Sequence, residues 1–421
     1  MLGRAGLILL FASIGLAETS HDWLLSNFAD RLEVQLANPS DSEVRTLAVV
    51  PVPQASQAAL RFPGSLAIAV LLNPAGSRYP VTIVPSQADD LDGDGSPDEF
   101  VFPVRLAPHE TRLAHLYYST TLHDRMVYPK QVHAEHGFGY NRATVALESE
   151  QIGYRTYGGF FLDIQARAEG RPGLYNNFVG YFGSGRTSMA GRDIIHLGDT
   201  LGLGGIFLRQ GAQAFRPPLN MPDYAHKPAS AEAPHYRVIS DGPVRAVVEA
   251  RMDRWTIGED EVSIRAIYSI AAGTSFVQCH LRVVPLRMAD SHVYEVGAGL
   301  RHLPGLKLRH APGRLLLSGM QEARIGPLAM ALFYAPSEAA VAEPLITRDD
   351  RNEIIVFGDK LRAGHAVEVQ YQVAAAWSGS GISDLFGHLE IVEKEARGVV
   401  RTGGFKLTHT PVPARIEGEA N

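Results

Sequence analysis

The chain has one cysteine, three tryptophans and, beyond its first twenty residues, no apolar run of membrane-spanning length. The lone Cys279 excludes an internal disulfide and a cysteine-based metal site. Its place in FVQCHLRV, at an apolar strand position, reads as a buried structural thiol. Basic charge is also scarce: 39 Lys and Arg stand against 45 Asp and Glu, a net charge of −6. With no basic patch, neither nucleic acid nor an anionic membrane surface is an expected partner. Helical periodicity is nearly missing as well. Only Asp384 to Val399 carries it, with Leu385, Leu389, Val392 and Ala396 on one stripe and Ser383 available as a cap.

What is present is the material of turns and strands. The sequence holds 41 glycines and 26 prolines between short β-rich runs, which predicts an all-β protein. At 421 residues it is long for one core, so two domains are expected. Residues 1–17 read as a signal peptide: Arg4 precedes an apolar stretch from Gly6 to Leu16, and Gly15-Leu16-Ala17 supplies small residues for cleavage. The mature chain then starts at Glu18, in the periplasm or outside the cell, with no membrane contact after cleavage. Residues 18–125 form a small β-sandwich domain carried by LEVQLAN, RTLAVVPVP, SLAIAVLL, YPVTIVPSQ, EFVFPVRL and TRLAHLYYST. Residues 126–411 form a larger β domain, and 412–421 are a loose tail.

Within the larger domain three successive runs alternate with period two. Val244, Ala246, Val248, Ala250 and Met252 oppose Arg245, Glu249, Arg251 and Asp253. Val262, Ile264, Ala266 and Tyr268 oppose Ser263 and Arg265. Val277, Cys279 and Leu281 oppose Gln278, His280 and Arg282. These are antiparallel strands with one apolar face. The polar face is either a solvated exterior or the floor of a saccharide groove.

The densest polar stretch is Leu147 to Phe207, where Glu148, Glu150, Tyr154, Arg155, Tyr157, Asp163, Arg192, Asp193, His196 and Asp199 sit among short apolar runs. Charges inside strands are costly unless paired or needed, so a polar cleft is expected there. His196, Tyr224 and His226 are candidates for general acid or base, as is Tyr157. Arg142, Arg155 and Arg192 are candidates for clamping a carboxylate, or else ion pairs of Glu148, Glu150 or Asp163. Asp193 would orient a histidine or an arginine. His136, Tyr140, Arg142, Arg192 and Glu150 are candidate substrate contacts, while a metal at His133 and His136 has no third ligand nearby. The run from Asp90 places Asp90, Asp92, Asp94 and Asp98 at calcium-loop spacing with Gly95 at the turn, although Val101 stands where the closing Glu belongs. An Asp/Gly hairpin turn is the alternative. GLGG at Gly202–Gly205 lacks phosphate-loop spacing and reads as close backbone packing.

Taken together, DLDGDGSPDEFVFPVRLAPHET, ESEQIGYRTYGGFFLDIQ, RDIIHLGDTLGLGGIFL, ISDGPVRAVVEARMDRW and YQVAAAWSGSGI resemble the bacterial family of domain of unknown function 4861, in order and over most of the mature chain. Many members have Trp-Gly-Met-Asp where Ala190-Gly191-Arg192-Asp193 stands here. The resemblance implies an exported all-β protein of carbohydrate utilisation whose second domain is a large antiparallel super-sandwich of the galactose-mutarotase type, with one late helix. It brings no assigned catalytic residues. The leading expectation is a lyase that cleaves a uronate-containing poly- or oligosaccharide by β-elimination. A glycoside hydrolase or epimerase on the same scaffold, and a non-catalytic glycan-binding protein, are the alternatives. Calcium, in a structural role, is the one cofactor expected.

Overall fold

The computed structural model describes residues 24–25, 28, 30–52, 66–119, 128–139, 142–156, 159–167, 174, 192–218, 234–347 and 351–409. Among them every strand pair is antiparallel, and four sheets form two units.

In the small unit, a five-stranded sheet runs in the order Arg401–His409, Asp30–Ala37, Thr111–Ser119, Leu66–Leu72, Val81–Val84. A three-stranded sheet of Val44–Pro51, Glu99–Leu106 and Gln87–Asp89 faces it. Strict alternation aims Leu32, Val34 and Leu36 at Val50, Phe100 and Phe102, all fully or almost fully buried in one core. The six runs read from the sequence are all strands. One strand is a surprise: Arg401–His409 pairs with Asp30–Ala37, so residues 401–409 join the small sandwich and not the 126–411 domain. Its run RTGGFKLTH is polar and glycine-containing, and its pairing depends on a strand far upstream, Ala37 opposite Arg401 and Asp30 opposite His409, that no local pattern reveals.

The large unit packs two broad sheets face to face. The first follows the order Ala339–Ile346, Arg351–Arg362, Val293–Arg301, Leu203–Gln210, Leu162–Ala166, Ile152–Thr156, Arg142–Ser149, Val132–Gly139. Two short strands, Arg192–Asp193 and Gln213–Phe215, pair with Leu162–Ala166 and Leu203–Gln210. The second sheet runs His235–Asp241, Arg245–Ile257, Asp260–Ala271, Phe276–Arg287, Val367–Trp377, Leu328–Tyr334, Arg314–Gly319, Lys307–Ala311. One extended core fills the space between them. Tyrosines pin the sheets across that core: Tyr154 donates to the Ser275 carbonyl at 2.6 Å, and Tyr371 to the Gly204 carbonyl at 2.8 Å. Cys279 is buried there, and burial pushes its thiol up, away from the reactive thiolate.

Glycines at 204 and 205 allow this approach. Gly204 has a φ of +72°, and a Cβ on it would lie 2.6 Å from Val373 Cγ1, while one on Gly205 would lie 2.3 Å from the Leu201 carbonyl oxygen. That accounts for GLGG as packing.

The helix, α1, spans Leu385–Ala396. Asp384, not Ser383, caps it, accepting from Gly387 N–H at 3.0 Å. Its buried stripe is Phe386, Leu389, Val392 and Ala396, with Leu385 only partly covered. It lies on the outer face of the second sheet over Phe276, Leu316, Ala331 and Phe333. The other half of that outer face, on Arg245–Ile257, Asp260–Ala271 and Phe276–Arg287, is polar.

Candidate functional site

The outer face of the first sheet carries a charged array built by strand pairing. Arg155 lies opposite Asp163, and Gln165 opposite Asp193. Glu148 lies opposite Gly153 on one side and His133 on the other. Their neighbours Leu147, Tyr154 and Ile164 point into the core, so the alternation that buries the apolar residues gathers the polar ones on the opposite face. Glu148, Arg155, Asp163, Gln165, Arg167 and Asp193 are all nevertheless buried.

Arg155 Nη2 donates to Asp163 Oδ2 at 2.5 Å and to Asp193 Oδ2 at 3.2 Å. Both bonds run through Nη2, so Arg155 makes the ion pair with Asp163 that was the alternative to a carboxylate clamp. Burial pushes the Asp163 carboxyl up from its ordinary value against the pull of Arg155, while Ile164 N–H donates to its Oδ1 at 2.9 Å. Arg167, which the sequence reading missed, is 1% exposed and pairs with Glu148 through Nη2, the nitrogen that also donates to the Ser149 carbonyl at 3.2 Å. Burial pulls its guanidinium below the ordinary range, opposed by Glu148. Among the described residues its Nε and Nη1 have no hydrogen-bond partner. The available signal was parity: Arg167 continues the series Asp163, Gln165 one step past the strand end.

Beside this array the Arg192–Asp193 strand leads into the segment ending at His196. Ile194 and Ile195 are buried in the core, and His196 turns outward and is exposed. Gln321 holds its backbone twice, accepting from His196 N–H at 2.7 Å and donating to its carbonyl at 3.0 Å. Arg192, half-buried, reaches the Arg324 carbonyl at 3.4 Å. Thus Arg192 and His196 flank a segment docked on the 320–326 turn, with Asp193 tied inward to Arg155.

Tyr157, Tyr224, His226 and Tyr140, and the Arg142 side chain, lie outside the described residues. Glu150 accepts from Gly273 N–H at 3.2 Å and Asp199 pairs with Arg216, both away from Arg155's hydrogen bonds. His136 is exposed, its Nε2 accepting from Val238 N–H at 3.3 Å, and His133 Nδ1 meets Asp241 Oδ1 at 2.8 Å. These two histidines therefore serve different neighbours.

In the small unit, Asp90, Asp92 and Asp98 can bring one carboxylate oxygen each within 4.8 Å of one another, without Asp94. The same carboxylates fold the loop: Asp90 accepts from Gly93 and Gly95 N–H at 2.7 and 2.8 Å, and Asp98 from Leu91 N–H at 2.6 Å. Asp94 instead accepts from Ser96 N–H at 2.7 Å. Hairpin-turn chemistry is therefore present, and a cation would have to share these oxygens with backbone donors.

Solved structures are similar to this fold only loosely. An alpha-mannosidase from Enterococcus faecalis V583 aligns with a TM-score of 0.47 at 8% identity, covering 89% of this chain and 46% of its own. A protein in the Glycosyl Hydrolase Family 38 from Enterococcus faecalis aligns with a TM-score of 0.45 at 9% identity, covering 89% and 47%. The chain thus spans about half the length of these structures. No curated protein matches the sequence. A family model described as a domain of unknown function (DUF4861) matches residues 78–399, a span that includes the Asp-rich loop, the charged array and the His196 segment. The chain belongs to the DUF4861 family.

Proposed function

We propose that the protein is an exported carbohydrate-active enzyme that cleaves a uronate-containing glycan by β-elimination. The observation that carries this reading is the buried array of Glu148, Asp163 and Asp193 with Arg155 and Arg167. Buried ion pairs add little to stability compared with apolar packing, so five ionisable side chains on one sheet face point to chemistry. β-Elimination needs the substrate carboxylate neutralised, the C5 proton removed and the leaving oxygen protonated. Arg167, two of whose donor nitrogens have no partner among the described residues, and the half-buried Arg192 are the arginines suited to the carboxylate. Asp163 and Asp193 keep Arg155 in place as a positioning residue. His196 or His226 is assigned as base and Tyr157 or Tyr224 as acid.

The test is absorbance near 235 nm, where the unsaturated uronate product absorbs, during incubation with a panel of uronate-containing glycans. A rise that Arg167→Gln and His196→Ala abolish, with folding intact by circular dichroism, supports the scheme. A flat trace across the panel overturns it. Hydrolysis is the second reading: Asp163 and Asp193 are two buried carboxyl groups that Arg155 holds side by side, and glycoside hydrolysis works through a carboxyl pair. New reducing ends without absorbance would select it.

The Asp-rich loop enters this proposal as a weak structural calcium site held by Asp90, Asp92 and Asp98. Melting temperature should rise in excess calcium chloride relative to EDTA and stay flat in Asp92→Asn. Equal melting of the wild type in both conditions would remove calcium from the scheme. Export is tested by sequencing the N-terminus of protein recovered outside the cytoplasm, expected at Glu18.

A further inference from the structure

The polar half of the second sheet's outer face is a groove of about 690 Å³ whose lining includes Arg237, Arg251, Arg265 and Arg282. Its floor is defined by register. Arg251 lies opposite Arg265, and Arg265 opposite Arg282, so three guanidinium side chains stand in a row across three neighbouring strands. Directly opposed side chains have Cβ atoms about 4.5–5.5 Å apart, and like charges at that spacing destabilise a sheet. The protein offsets this only in part. Glu249 pairs with Arg265 and, at 3.5 Å, with Arg237, and Asp253 pairs with Arg251 at 2.5 Å. Arg282 makes no ion pair among the described residues: Glu368, opposite it across the strand pair, is taken by His280 at 2.7 Å. The rim comes from the small unit. Arg237 donates to the Leu91 carbonyl at 3.0 Å, and Asp92 of the Asp-rich loop lines the groove.

We propose that this groove binds a carboxylate-bearing oligosaccharide, at a site separate from the buried array. A row of guanidinium groups one strand apart suits an extended chain that presents an acidic group at intervals. The interleaved Asp92, Glu249 and Asp253 suit its hydroxyl groups as acceptors and would repel a polyphosphate, which favours a sugar acid over nucleic acid. Half-exposed Val284 and exposed Leu286 give the ring faces an apolar border. The argument rests on the groove alone and requires no turnover, so it stands or falls apart from the lyase reading.

Titration calorimetry on the full chain, with hexamers of galacturonate, guluronate and hyaluronan, tests it against maltohexaose and a dT hexanucleotide. At least one acidic hexamer should bind, more weakly as salt rises, with maltohexaose weaker still. Arg251→Gln and Arg282→Gln, both exposed positions whose folding is checked by circular dichroism, should each weaken that binding about tenfold, the effect of losing one charge-assisted hydrogen bond. The proposal is overturned if no acidic hexamer binds, if the double variant binds as the wild type does, or if the oligonucleotide binds as tightly as the sugar acid.

Discussion

Arg245 shows how one side chain joins the two units. On the polar parity of its strand, it donates from Nε to Asp89 Oδ2 at 2.8 Å and from Nη2 to Asp89 and Glu99, both of the small sandwich. Gln87 completes the junction, accepting from Val244 and Arg245 N–H at 2.8 and 2.9 Å. Removing one partner from a buried pair strands the others, so Arg245→Ala should cost about 3–5 kcal/mol in urea unfolding. A loss below about 1 kcal/mol would show that solvent already screens the junction. Asp260 sets a pH dependence. Burial alone would raise its carboxyl, but Tyr294 at 2.6 Å, His292 at 2.6 Å and Ala289 N–H at 3.1 Å outweigh it and hold the carboxyl below the ordinary value. A carboxylate with a lowered folded pKa stabilises the fold above its unfolded value, and that contribution fades as pH falls through the folded one. Wild-type stability should therefore drop on the acid side, and Asp260→Asn should flatten that drop in melting curves taken from neutral to acid pH.

At the scale of elements, the alternating strands were legible because each buries one face, whereas Ile152–Thr156, Leu162–Ala166 and Leu328–Tyr334 are buried on both. The three alternating runs of the second sheet appear with their apolar residues inside and their charges outside. The helix was legible for the same reason, but its cap was not: Ser383 and Asp384 are both good caps, and only the backbone turn selects Asp384. Leu389 is fully buried between the helix and the sheet. Leu389→Ala should lower unfolding free energy by about 2–5 kcal/mol, the range for a buried leucine truncation, read by chemical denaturation. Strand pairing and buried Ile194 and Ile195 hold the segment from Arg192, and Gln321 holds the backbone of His196 at its exposed end. Gln321→Ala should leave stability nearly unchanged and lower any turnover that depends on His196, seen as a fall in kcat at constant melting temperature.

Over the whole molecule, the last strand closes the first domain. The family match covers 78–399, yet the small sandwich also takes in Asp30–Ala37, Val44–Pro51, Leu66–Leu72 and Arg401–His409. A chain cut to 78–399 would lose Leu32, Val34, Leu36, Ala48, Val50 and Leu71 from its core and leave Thr111–Ser119 open on both edges. It should aggregate where the full chain is monodisperse by size-exclusion chromatography, and a monodisperse fragment would show the small sandwich dispensable. Among the described residues no helix is long and apolar enough to cross a membrane.

Local pattern by itself determined the all-β class, six of the eight strands of the first sandwich, the alternating faces of the second sheet and the late helix, because burying a strand or helix needs only a local period of two or 3.6 residues. It also located the stretch rich in charge between Glu148 and His196. Tertiary structure alone decided which of those charges meet. Arg155 falls between Asp163 and Asp193 because of a hairpin register and a two-residue strand, and Arg251, Arg265 and Arg282 form a row because three strands align. Pairing register is a long-range choice, fixed by the packing of the apolar faces, and a one-residue slip would have sent every one of these side chains to the opposite face.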